Sequence, residues 1–175
     1  MTALPRHLLT TCRALLATCA LALGACSGGY SFTGASIPPE AKTIGVANFP
    51  NNAATVNPTL SQTLSDELRN MFQSQTNLAV TNDEGDLQLS GEIVSYDTRA
   101  SAISSSDEVA TNRFTITVKV TFVNKIDPKA NFEQSFSRYA DYNAQLDFSS
   151  VESGLVSAIV TQLCEDIFNK AVVNW

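Results

Sequence analysis

Hydrophobic positions recur along this chain with two periods. From Phe114 to Phe122 every second residue is apolar (Phe114, Ile116, Val118, Val120, Phe122), and Thr115, Thr117, Lys119 and Thr121 stand between them. That alternation predicts a strand with one face on a core and the other in water. Around it lie weaker β signals: "TIGVANF" (43–49), a brief strand at 78–80, a longer one from Leu87, and a return strand over 131–142 with Phe132 and Phe136 inward. In the strand from Leu87, the apolar phase set by Leu87, Leu89 and Ile93 switches at Val94 and Tyr96, which predicts a bulge between Gly91 and Val94. Asp127-Pro128-Lys129 fits a type I turn joining the last two strands into an antiparallel hairpin.

Two stretches carry the helical period instead. Leu60, Leu64, Leu68, Met71 and Phe72 mark one face of a helix ending near Gln75. Asn57-Pro58 predicts its start, with asparagine as cap and proline pre-set for the first helical position. Val151, Leu155, Ile159, Leu163 and Ile167 form a second ridge, widened by Val156, Val160, Cys164 and Phe168. Ser149 and Glu152 have capping-box spacing at its start. So broad a stripe requires burial on more than one side, or a partner beyond the chain's own sheet. The order is strand, helix, four strands, helix. It predicts an α+β two-layer sandwich over 43–175: a mixed, mainly antiparallel β-sheet with two α-helices packed on one face.

The first 42 residues follow a different logic. Arg6 and Arg13 precede the apolar run Ala14–Leu23, and small residues follow at Gly24 and Ala25. A basic start, a short apolar centre and a small-residue end describe a secretory signal over 1–25. The apolar run falls short of the ~20 residues that span a bilayer. Leu23-Gly24-Ala25-Cys26 is similar to a bacterial lipobox, which makes Cys26 the candidate lipid anchor and 26–42 its tether, broken by Gly28, Gly29, Gly34, Pro38 and Pro39.

Removal of that signal sharpens the charge. Nine basic residues then face 17 acidic ones, a balance of −8. That balance argues against nucleic acid as a partner, since phosphate backbones need a basic face. His7, the single histidine, leaves with the signal, and a Ser-His-Asp triad, a Cys-His pair and a histidine metal site leave with it. Cys164 lies within an apolar stripe and reads as a structural thiol. Asp83, Glu84 and Asp86 lack the spacing and the later glutamate of a calcium loop, and read as a solvated turn. No catalytic residue, metal ligand or cofactor is expected, and the chain reads as a non-enzyme.

"GYSFTGASIPPEAKTIGVANFPNNA" after the cysteine resembles the start of LptE-family proteins, lipoproteins of lipopolysaccharide assembly. "VNPTLSQTLSDELRNMFQSQTNLAV", "DLQLSGEIVSY", "FTITVKVTFVNK" and the C-terminal helix are similar to the same family in the same order. The resemblance implies an outer-membrane lipoprotein, on the periplasmic face, that partners the LptD β-barrel translocon and assists delivery of lipopolysaccharide. A second resemblance, limited to the first strand and helix, is to the periplasmic modules of CsgG-like and penicillin-binding-protein activator lipoproteins.

Lipopolysaccharide would require cations facing anionic sugar phosphates, and Lys119, Lys125, Lys129 and Arg138 are the candidates. As an alternative, the same residues are solubilising charges that protect a strand edge. The polar stretch from Arg99 to Asn112 is long for a hairpin loop. Ser101, Ser105 and Ala110 within it are the candidate contacts with a barrel wall.

Overall fold

The computed structural model describes residues 37–55, 57–101 and 110–172. Cys26, the signal segment and Ser105 lie outside them. Five strands and two long helices follow in the predicted order: β1 (Thr43–Val46), α1 (Leu60–Gln75), β2 (Ala79–Thr81), β3 (Leu87–Ala100), β4 (Thr111–Asn124), β5 (Phe132–Asn143) and α2 (Phe148–Val172). They form one sheet of order β2-β1-β3-β4-β5. β1 is parallel to both of its neighbours, and β3, β4 and β5 form an antiparallel meander. The fold is the α+β arrangement that the periodicity predicts.

β4 shows why the layers form. Phe114, Ile116, Val118, Val120 and Phe122 are all buried, while Thr115, Thr117 and Thr121 are half-buried and Lys119 is exposed on the other face. The pleat sends alternate side chains to opposite faces, so one face collects the apolar surface and the helices cover it. α1 contributes Leu60, Leu64, Leu68 and Phe72 to that core, and α2 contributes Ile159, Leu163, Cys164 and Ile167. The two helices also meet each other, with the rings of Phe72 and Phe168 5.1 Å apart. α2 is therefore buried against both the sheet and α1, which accounts for its wide apolar stripe. Its exposed positions, among them Ser157, Ala158, Thr161, Gln162, Glu165 and Asn169, are small or polar.

The bulge falls where the phase switch placed it. Pairing of β3 with β4 runs in register to Ile93–Val118 and resumes at Ser95–Thr117, leaving Val94 as the extra residue. Tyr96 thereby reaches the core, but Val94 does not: it is 40 % exposed. Gly91, just before the bulge, lets the ring of Phe49 lie on the strand. A Cβ there would sit 2.6 Å from that ring and 2.2 Å from the Lys119 carbonyl oxygen.

Both helix starts differ from the local reading. α1 begins at Leu60, after Thr59, rather than at Asn57-Pro58. Asn57 Oδ1 accepts from the Thr59 N–H and hydroxyl, which closes a tight turn before the helix instead of capping it. α2 begins at Phe148, one residue before the expected cap. Ser149 donates to Asp147 Oδ2, and Glu152 turns away from the helix terminus altogether.

Candidate partner-binding surfaces

Three surfaces carry the polar chemistry: the β3–β4 end of the sheet, its open face, and the β4–β5 turn. At the first, β3 and β4 continue further than their side-chain pattern suggests. Arg99 pairs with Arg113 and Ala100 with Asn112, so the connecting loop spans 101–110 rather than 99–112. The side chains of residues 98–100 are exposed, so their strand is held by backbone bonds that hydropathy does not report. Ser101 donates its N–H to Thr111 O, and Ala110 O accepts from the N–H of Ala144. Both loop ends are thus fixed to the ladder.

Beneath this end lies a polar cluster linking segments far apart in sequence. Glu152 Oε1 of α2 accepts from the Tyr96 hydroxyl of β3 and, at 2.9 Å, from Asn57 Nδ2, which also lies 3.2 Å from the Tyr96 oxygen. Burial, followed by the bond to Glu152, pushes the Tyr96 hydroxyl up to about 12, so it stays protonated and acts as donor. The rings of Tyr96, Phe114, Phe148 and Tyr142 continue as an aromatic chain, with successive centroids 4.7, 5.0 and 5.8 Å apart. The end that presents the 101–110 loop is therefore firmly built.

On the open face the strong charges among the described residues have partners. Lys119 Nζ lies 2.6 Å from Glu133 Oε1. Arg113 makes a bidentate pair with Asp141, at 2.8 and 2.9 Å, and its guanidinium lies 3.7 Å from the centroid of the Tyr139 ring. No local motif in the sequence singles out Arg113. Its signal was the hairpin register, which sets Arg113 directly opposite Asp141 once the turn is fixed.

The four candidate cations are not brought together. Lys119 is on the open face. Arg138 is on the helix side of β5, in a bidentate pair with Asp166 of α2 at 2.6 Å. Their neighbours raise both above their ordinary values, the hydrogen bond to Glu133 for Lys119 and to Asp166 for Arg138. Lys125 and Lys129 sit at the β4–β5 turn, where Asp127 accepts from the Lys129 N–H and the chain makes a short 3-10 turn at Pro128–Ala130. Among the described residues neither of these two makes an ion pair.

Asp86 is more than a solvated turn residue. Its Oδ2 accepts from the Lys42 and Thr43 N–H groups at 2.8 and 3.0 Å and from the Thr43 hydroxyl at 3.0 Å, tying the start of β1 to β3. These bonds, the Lys42 N–H first, hold its pKa below the ordinary value. Among the described residues no cluster of potential metal ligands occurs. Cys164 is fully buried, and desolvation pushes its thiol far up, away from any nucleophilic form. Among the described residues no helix is long and apolar enough to cross a membrane.

No curated protein matches the chain in sequence. Among solved structures, a minor lipoprotein from Acinetobacter baumannii is 13% identical over 70% of this chain and 88% of its own, with a TM-score of 0.43. A hypothetical protein from Chlamydia trachomatis is 11% identical over 75% of this chain and 98% of its own, with a TM-score of 0.48. The PelC dodecamer from Paraburkholderia phytofirmans is 12% identical over 73% and 91%, with a TM-score of 0.41. The family model for lipopolysaccharide assembly, LptE, matches residues 41–171, which include all five strands and nearly all of α2. The chain belongs to the LptE family.

Proposed function

We propose that this protein is an outer-membrane lipoprotein, held on the periplasmic face by a lipid on Cys26, that partners the LptD β-barrel and assists lipopolysaccharide assembly without catalysing a reaction. The family match over 41–171 carries the reading. The surface chemistry supports a role built on protein contacts. Lys119 and Arg138 are already engaged by carboxylates, which weakens them as sites for sugar phosphates. Of the four candidate cations, Lys125 and Lys129 are the two left for a lipopolysaccharide phosphate to meet. The 101–110 loop is the leading contact with the barrel, because its ends are fixed and a barrel lumen is lined with hydrogen-bonding groups.

Photo-crosslinkers at Ser101, Ser105 and Ala110 should capture the barrel in membranes, and one at Glu165 on the exposed flank of α2 should capture less. Depletion of the protein should raise sensitivity to large hydrophobic antibiotics. Cys26→Ser should release the folded chain from membranes, since acyl chains supply the anchoring affinity. An unchanged permeability barrier together with no crosslink from the loop would overturn the reading.

A further inference from the structure

The basic residues divide by whether a carboxylate engages them. Arg69, Arg99, Arg113, Lys119 and Arg138 each pair with one. Lys42, Lys125, Lys129 and Lys170 are exposed and make no ion pair among the described residues. These four meet at one end of the domain. The Lys125 N–H donates to Asp86 O, and Asp86 Oδ2 accepts from the Lys42 N–H. Lys129 stands in the turn at Pro128–Ala130, and Ala130, Asn124 and Lys170 border a small cleft. Ile37 and Pro38, which follow the tether from Cys26, form the other side of that cleft. Between Lys125 and Lys129 the turn also presents Ile126, 38 % exposed. Asp86 and Asp127 stand among the lysines, but each gives carboxylate oxygen to backbone N–H groups. The opposite end is different: its exposed apolar residue, Leu146, has Asp147 beside it, and Arg99 and Arg113 there are paired.

We infer that this end rests on the bilayer, with the four lysines at the phosphates of anionic phospholipids and Ile126 in the headgroup layer. The inference rests on the lipid proposed for Cys26. Residues 27 to 36 separate Cys26 from Ile37, a reach of at most about 40 Å. β4 alone, from Thr111 to Asn124, spans about 43 Å from the loop end to the lysine end. With the strands upright and the loop end on the leaflet, Ile37 would stand beyond the reach of its own anchor. The lysine end down leaves the tether slack. Glu40, Asp83 and Glu84 are exposed near by, so net charge does not recruit this end to anions. Recruitment is not needed, because acyl chains already hold the chain at the surface. The lysines only orient it, and their long stems let the ammonium groups settle at phosphate level while Ile126 goes deeper. Lipid and barrel are then met by opposite ends of the same strands.

The test uses the full lipidated chain in phosphatidylcholine vesicles, with and without phosphatidylglycerol. One fluorophore is placed through Ile126→Cys, and the same one through Leu146→Cys as the matched apolar position at the far end. Cys164 is buried and does not compete for the label. Phospholipid spin-labelled on the headgroup should quench the label at 126 when phosphatidylglycerol is present, and leave the label at 146 bright. Lys125→Ser and Lys129→Ser should each lower the ratio of quenched to unquenched label about fivefold, and high salt should lower it too. Their melting temperatures should hold, since neither side chain makes an ion pair. Equal quenching at 126 and 146, or quenching at 126 that ignores phosphatidylglycerol and both variants, would overturn the inference. Quenching that needs lipopolysaccharide in the vesicles would assign the lysines to that ligand and overturn it as well. Mass spectrometry reads the lipid on Cys26 separately. A chain without it would sink the anchor and this inference together, whereas a lipidated chain without the expected quenching would sink this inference alone. The vesicles hold no barrel, so no outcome depends on that partnership.

Discussion

The two faces of the sheet are made by the same strands and resist change in opposite ways. On the helix side, Ile44, Val46, Leu89, Ile93, Ile116 and Val118 are buried to 1 % exposure or less. On the open side the strands hold hydroxyls and paired charges: Thr117 with Ser137, Lys119 with Glu133, Arg113 with Asp141. Apolar surface withdrawn from water is worth roughly 25 cal/mol per Å², whereas exposed ion pairs contribute little. Stability therefore resides on one face, and the other is free to change or to meet a partner.

The sharpest break comes from two neighbours on β4. Val118→Asp places an unpaired carboxylate among fully buried side chains and should cost about 3 kcal/mol or more, enough to unfold a marginal domain. Thr117→Asp, one residue away, points to the open face and should melt close to the parent chain. Equal melting temperatures would contradict the face assignment.

A smaller effect should come from the glycines. Gly91→Ala brings a methyl group against the Phe49 ring and the Lys119 carbonyl on the crowded side, and overpacking of this kind costs roughly 1–3 kcal/mol. Gly154 lies on the exposed side of α2 with nothing within 4 Å of its would-be Cβ. Gly154→Ala should stabilise by about 0.5–1 kcal/mol, because alanine is the better helix former. Opposite signs in urea unfolding are the expected result.

Much of the fold is legible in the sequence, because period alone distinguishes strand from helix and core from solvent. β4 is one case: Phe114 to Phe122 could hardly alternate as they do in any other structure. The bulge at Val94 is another, since a phase switch in mid-strand has few other causes. Less legible were the features set by partners distant in sequence. Asn57 and Glu152 both carry local cap signatures, yet each is drawn to Tyr96, 39 and 56 residues away. The candidate cations failed as a group for the same reason. Lys119 and Arg138 are on strands that pair, but the pleat sends them to opposite faces, and each finds its own carboxylate. A two-residue signature cannot report which of several partners the fold will bring near.

That cluster provides the third test. Tyr96→Phe retains the ring's packing on Phe114 but leaves Glu152 Oε1 with Asn57 alone. Loss of one partner from a part-buried carboxylate should cost about 1–3 kcal/mol. Glu152→Gln in the Tyr96→Phe background should recover part of the loss, since a neutral amide is cheaper to leave partly unsatisfied. Failure of the second substitution to help would mean that the glutamate draws little from the tyrosine.

The mildest effects separate two kinds of polar contact outside the core. Asp141 and Asp86 both have pKa values held below the ordinary 3.8, Asp141 by the Arg113 side chain and Asp86 by the Lys42 backbone N–H first, then by the Thr43 hydroxyl and backbone N–H. A carboxyl group whose folded pKa is depressed stabilises fully above its unfolded value, and the contribution is lost as pH falls through the folded value. Asp86→Asn and Asp141→Asn should therefore each lower the melting temperature at neutral pH, and the gap to the parent chain should close on acidification below about pH 4. Salt should then tell them apart. The Arg113–Asp141 pair is between exposed charges and is screened, so the Asp141→Asn deficit should shrink at high ionic strength. Asp86 is held by short hydrogen bonds to fixed backbone dipoles, so its deficit should persist. If added salt removes both deficits equally, the β1–β3 tie at Asp86 is only another surface charge contact.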